Sequence, residues 1–308
     1  WAIVCLAASF ALRSFLKSLF ISMLMLSSLA VATELRIGVV SERLNQPDYV
    51  ISQYQSLLDV LRQRLLSDGI HVNELVVAKD LADMAAKIRR REVDMVLESL
   101  FSLLWLETQG VGLEPALAGW RKGRRESRSV FFVSQSSDIR SLADLGRKTI
   151  AFETPRSTTA YALPKCVLRE SGFQLMPRDE MRGGVREIGY VFAGDEVNEA
   201  YWVAHGKADA GAFNSEDWAA LPENLRRQLK MVHTTAPILR WLVAYRARLP
   251  YEVRERVNAE LMSLEATPEG LRALAAMRGT LRFDPLSPQD LETIRRWREI
   301  GRKTGVAR

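Results

Sequence analysis

Phe152-Glu153-Thr154-Pro155-Arg156-Ser157-Thr158-Thr159-Ala160-Tyr161 reads as the end of a β-strand, a stop, and the opening of a helix. Residues 148–152 read as a short strand, Pro155 cannot continue a ladder, and Ser157 is a good N-cap for a helix over residues 157–171. The first-turn N–H groups of a helix have no internal acceptor, and its macrodipole puts partial positive charge at the same end. With the hydroxyls of Thr158 and Thr159, and a charge-assisted bond from Arg156, this stretch can cradle a small anion. An ordinary capped helix with nothing bound is the competing reading.

Working outward, the same strand-then-helix unit recurs on both sides. Residues 35–40 read as a strand, and Tyr54, Leu57, Leu58, Leu61 and Leu65 fall on one face of a helix. Strands at 71–77 and 93–97, with helices at 81–91 and 101–109, complete a βαβαβ order. A second run of alternation covers strands at 129–133, 148–152, 187–191 and 208–212, with helices at 157–171 and 197–204. A strand at 241–245 follows, then three helices that open near Pro250, Pro268 and Pro288. The expected fold class is α/β, with two lobes and a ligand cleft between them. Lobe 1 is expected over residues 33–133 plus 236–308, and lobe 2 over residues 134–235. In such folds ligands sit where strands end and helices begin, and a two-lobe cleft can close by hinging. Ser99, capping the helix at 101–109, is the first lobe's counterpart of Ser157. Tyr49 and Tyr161 are candidate wall residues.

The segment Leu142-Ala143-Asp144-Leu145-Gly146-Arg147-Lys148-Thr149-Ile150-Ala151-Phe152, continued by Pro155, Ser157-Thr158-Thr159, Pro164, Leu168 and Gly172, resembles the phosphate/phosphite/phosphonate-binding proteins of ABC importers. Gly206-Lys207-Ala208-Asp209-Ala210-Gly211-Ala212 is similar to a second segment of that family, and Phe283 and Pro285 extend the likeness more weakly. The resemblance implies the type 2 periplasmic-binding-protein-like fold, with Ser157, Thr158 and Thr159 on the anionic end of a small oxyanion. It also implies an inner-membrane ABC permease as partner, or a sensor histidine kinase if the module signals. A monomer without cofactor, and without catalytic or metal-binding residues, is expected.

Three positions depart from the family pattern. Glu196 stands where the family carries a His after Gly-Ser, in the run Gly194-Asp195-Glu196-Val197-Asn198; Asn214 stands where many members carry Asp; and Glu98 replaces a Gly-Pro-like turn. An unpaired, desolvated carboxylate beside a dianion is costly. Glu98 and Glu196 therefore point away from phosphate or a simple phosphonate, either toward a zwitterionic ligand or toward pairing with Arg156 or Arg240. Solvated carboxylates at the cleft rim are the plainer alternative.

The N-terminus reads as an export signal. Arg13 and Lys17 precede an apolar run over residues 19–29, which Ala30-Val31-Ala32 follows as a cleavage site, so residues 1–32 are expected to be removed and the protein to be periplasmic. Residues 1–11 look like an over-extended start. Cys166 is then the only thiol left, so no internal disulfide is expected. A net charge of +6 is compatible with nucleic acid, but its Lys and Arg are scattered and no reading motif accompanies them. No G-x-S-x-G elbow, P-loop or paired histidine site supports an enzyme.

Overall fold

The computed structural model describes residues 33–41 and 47–305. The export segment expected at residues 1–32 lies outside them. Two six-stranded mixed sheets organise the chain. The first is built from β2 (Ile37–Val40), β4 (Val76–Ala78), β5 (Met95–Glu98), β6 (Leu113–Arg121), β15 (Trp241–Arg246) and β16 (Thr280–Pro285), in the order β16-β6-β15-β5-β2-β4. The second, in the order β10-β11-β9-β12-β8-β13, joins β8 (Ser129–Ser134), β9 (Thr149–Phe152), β10 (Gln174–Pro177), β11 (Glu187–Phe192), β12 (Ala210–Asn214) and β13 (Leu229–Thr234). The run read as one strand at 71–77 is two short ones, β3 (Ile70–Val72) on β1 (Thr33–Leu35) and β4 on β2.

The boundary expected at residue 133 falls inside the second sheet. Strand β8 pairs antiparallel with both β12 and β13, so the change of sheet comes before Ser129. The reason is packing. Phe131 and Val133 fill the apolar cluster on one face of that sheet, and Phe132 fills the cluster on the other, as a central strand requires. The two chain crossings lie side by side. β7 (Glu126–Ser127) pairs antiparallel with β14 (Ile238–Leu239), and Arg240 N–H donates to the Arg125 carbonyl at 3.0 Å.

Helices cover both sheets. Helix α1 (Pro47–Leu65) buries Tyr54, Leu57, Leu58, Leu61 and Leu65 against the first sheet, on the stripe its periodicity defines. Helix α2 (Leu81–Arg89), capped by Asp80, and helix α3 (Leu100–Thr108), capped by Ser99, follow β4 and β5. Helix α4 (Leu163–Glu170) follows β9, and α5 (Glu196–Ala204) follows β11. Short helices α6 (Ser215–Ala220) and α7 (Glu223–Arg226) lead into β13, while α8 (Tyr251–Ser263) and α9 (Pro268–Ala276) pack on the first lobe.

The last helix, α10 (Pro288–Thr304), starts in the first lobe and ends on the second. Its Ser287–Asp290 capping box anchors the start, where Arg125 holds Asp290 with two bonds of 2.7 Å. At its far end Arg169 of α4 donates to the Thr304 carbonyl at 2.5 Å. Between these points Ile294, Trp297 and Ile300 share one buried cluster with Phe101 of the first lobe and with Leu163 and Cys166 of the second.

The Arg125 guanidinium holds the Asp290 carboxyl down at about 2, against an ordinary 3.8. The folded state thus binds this proton more weakly than the unfolded chain, so the stabilisation is present above 3.8 and disappears as pH falls toward 2. Asp290→Asn should lower stability by about 2 kcal/mol at pH 7, and the variant and wild type should converge in acid. Urea titrations at pH 7 and in acid check this; a constant gap between the two proteins would contradict it.

Candidate functional site

A cavity of about 480 Å³ lies between the lobes, where strands of both sheets run out into helices. Small hydroxyl residues meet there from opposite sides. Ser99 caps α3, accepting from the Ser102 N–H at 3.3 Å. Ser157 caps the opposing helix, accepting from the Ala160 N–H at 3.1 Å. The hydroxyls of Ser99 and Thr158 stand 2.7 Å apart, bridging the lobes.

The helix on the second lobe opens with a widened turn over Thr158–Ala162. Ala162 N–H reaches the Ser157 carbonyl at 3.0 Å, and Leu163 N–H reaches the Thr158 carbonyl, each five residues back. Pro164 has no N–H to offer Ala160, so the regular four-residue ladder lacks that bond just after this turn. Ser129, fully buried on β8, donates to the Thr159 carbonyl at 2.5 Å and ties the turn to the sheet. Ser157, Thr158 and Thr159 all line the cavity.

The charges around this cradle are mixed. Arg156 crosses the cleft and donates to the Ser41 carbonyl of the first lobe at 3.3 Å. Glu98, buried at the end of β5, accepts from the Ser99 N–H at 3.2 Å, which places the chain's own carboxylate at the start of α3. Glu153 lines the same space from the end of β9.

The hinge side is basic; the sequence offers Arg240 only as a partner for Glu98 or Glu196 and assigns Arg121 no role in the cleft. Arg121, Arg240 and Trp241 line the cavity there, together with Ser127. Arg121 lies over the Trp241 ring at 5.2 Å. Arg240 pairs with Glu216 of α6 at 3.5 Å and not with Glu98 or Glu196. The basic run Lys122-Gly123-Arg124-Arg125 is not simply a solvated loop, since Arg125 is committed to Asp290. A signal was present in the chain: a crossing that joins two lobes must pass the cleft floor.

Four expected site residues do not line the cavity. Tyr49 sits 43% exposed on α1 and does not line it. Tyr161 faces the second lobe's aromatic cluster of Phe152, Tyr190 and Phe192, and accepts from Lys165 at 3.0 Å, because the widened turn rotates it away from the cleft. Asn214 caps α6, accepting from the Asp217 N–H at 2.8 Å. Glu196 occupies the first turn of α5, whose cap is Asp195, and contributes only through its charge.

The segment Gly206–Ala212 has a structural explanation. Glu199 of α5 is fully buried against β12, with Oε1 accepting from the Ala212 N–H at 2.6 Å. Burial pushes its carboxyl well above the usual range, and the charges of Glu153, Glu196 and Asp217 add to this, so the neutral acid is favoured. A side chain at Gly211 would meet Phe132 at 2.4 Å and Glu199 at 2.9 Å, so only glycine fits.

Among the described residues no group of three or more His, Cys, Asp or Glu could hold a metal ion, and no helix is long and apolar enough to cross a membrane. Cys166 is buried, which pushes its thiol up to about 11 and makes it a poor nucleophile.

Two α/β lobes joined by paired crossings, with helix N-termini converging on the cleft, define a two-lobed periplasmic binding protein of the type 2 fold. The sequence profile of the ABC-transporter phosphonate periplasmic substrate-binding proteins matches residues 39–291, and the chain belongs to that family. XAC2383 from Xanthomonas citri, in a structure bound to ATP, is 27% identical, with a TM-score of 0.77 over 89% of this chain and 98% of that one. The same protein bound to chloride ion matches at 28% identity over 88% and 98%, with a TM-score of 0.77. PhnD1 from Prochlorococcus marinus, in complex with methylphosphonate, shares the fold at 19% identity and a TM-score of 0.60, over 89% of this chain and 99% of that one. The family binds solutes and is not a family of enzymes. It implies a small-molecule ligand and a membrane permease as partner.

Proposed function

We propose that this protein captures a small oxyanion-bearing molecule in the periplasm and delivers it to an ABC permease. The observation that carries this reading is the meeting of two capped helix N-termini, at Ser99 and Thr158, across the lobe interface. An anion there receives N–H and hydroxyl donors from both lobes, so it binds the closed form better than an open one and shifts the population toward closure. The bodies that move are the segment over residues 129–235 and the rest of the chain, hinging at β7 and β14.

The ligand group we favour is a phosphonate or a related phosphorus oxyanion, with Glu98 and Glu153 facing a cationic or neutral part of it. A second reading is a nucleotide. It draws on the ATP-bound relative, and on a cavity of about 480 Å³, the liquid volume of about 16 water molecules and more than phosphate needs. Calorimetric titration with phosphate, phosphite, methylphosphonate, 2-aminoethylphosphonate and ATP should give at least one saturable heat signal. Flat traces for all five would overturn the assignment.

A further inference from the structure

We infer that the hinge side of the cleft is a second anion subsite, built by Arg240 and Arg121 on Trp241, and that the ligand carries an anionic group at each end. This rests on reading the cleft as the ligand site, and it narrows the ligand to an elongated compound with two anionic groups.

The argument starts from the Arg240 guanidinium. Its side chain is only 16% exposed, and its Nη1 is buried without a hydrogen bond. The nearest carboxylate oxygen, on Glu216, lies 3.5 Å away, beyond good hydrogen-bond distance for a charged pair. Glu216 is already shared, since it accepts the Ser127 hydroxyl at 2.9 Å and faces Arg124 at 3.5 Å. One carboxylate thus serves two guanidiniums and bonds neither closely. A buried guanidinium N–H without an acceptor is costly, and since Arg240 lines the cavity, a small turn of its guanidinium toward an oxyanion there would supply one.

The fold sets the spacing. In the first sheet β5, β15 and β6 are consecutive neighbours, with Leu242 opposite both Glu98 and Ala118. The helix start at Ser99 follows β5, while Arg121 ends β6, two strand spacings away, or about 10 Å. Trp241, at the head of β15 between them, has the Arg121 guanidinium 5.2 Å and that of Arg278 5.8 Å from its ring centroid. The ring holds Arg121 at the cavity edge by a cation–π contact. The two ends also differ in local charge. Glu98 sits at the Ser99 end, whereas the hinge end presents Arg121 and Arg240. One phosphate-sized ion cannot span both.

The test compares three probes of graded charge by calorimetric titration: methylphosphonate, hexylphosphonate and hexane-1,6-diphosphonate. The wild-type protein should bind the diphosphonate at least about tenfold more tightly than hexylphosphonate, which has the same apolar chain and one charged end. In Arg240→Gln that ratio should fall toward one. Arg121→Gln reads the same ratio should R240Q fail to fold. Equal affinities for the two hexyl probes in the wild type would remove the hinge subsite, while a methylphosphonate signal kept the cleft reading. No binding of any probe would overturn the hinge subsite and the phosphonate reading together.

Discussion

Thr158→Leu should weaken binding of whichever oxyanion titrates the wild-type protein by at least about a hundredfold, with little change in thermal stability. One donor is lost and a second is displaced, because the Thr158 hydroxyl lines the cavity and also stands 2.7 Å from the Ser99 hydroxyl of the opposing lobe. Hydrogen bonds to a charged ligand are worth about 1.5–3 kcal/mol each, and about 2.7 kcal/mol is already a hundredfold. The added methyl groups also hold Ser99 away, so the contact that joins the lobes cannot close. Thr158 is only half-buried and lies outside the main apolar clusters, which is why the fold should tolerate the change. Thr158→Val separates the two causes. It keeps the shape and removes the hydroxyl, so it should retain part of the affinity that leucine loses. Unchanged affinity in T158L, measured by calorimetry, would reduce the turn to a capped helix.

Trp297→Ala should be the most damaging single change to stability, at about 3–5 kcal/mol in urea unfolding at neutral pH. Trp297 is 3% exposed and packs on Phe101 with ring centroids 5.8 Å apart. Its cluster is unusual in drawing on α3, α4 and α10 at once, so the cavity left behind would loosen the contact between lobes as well as the core. A cost below about 1 kcal/mol, as for a surface substitution, would mean that the C-terminal helix does not help hold the lobes together.

Much of this architecture could be read in the chain, and the exceptions have physical causes. The helical stripe of Tyr54 to Leu65 and the strand at β8 were legible because each buries a regular pattern on the period of its element. Strand β6 was not. Its Leu113–Arg121 sequence contains Pro115 and Gly119, residues that normally argue against a central strand. Pro115 is accommodated where the ladder with β15 shifts register between Val243 and Ala244, and Gly119 leaves room for the Phe283 and Trp241 rings. At the site, the local caps Ser99 and Ser157 were legible because a cap is written in neighbouring residues. Arg121 and Arg240 were not, since they are 119 positions apart and meet only because two crossings run side by side. Tyr161 misled because a helix start implies a particular face, and the widened turn before Pro164 shifts it.

The pairing of β7 with β14 also bears on the order in which the lobes are completed. The second sheet is one unbroken stretch of chain, from Ser129 to Thr234, threaded into the first lobe. The first sheet cannot close until β15 arrives between β6 and β5, more than a hundred residues after β6 is made. As the chain emerges from its N-terminus, the inserted lobe can therefore fold on its own contacts while the host lobe waits with the β15-facing edges of β5 and β6 unpaired. Those two apolar edges are then the stretch most exposed to wrong pairing, and a holding chaperone would have most to protect there until residue 246 is free.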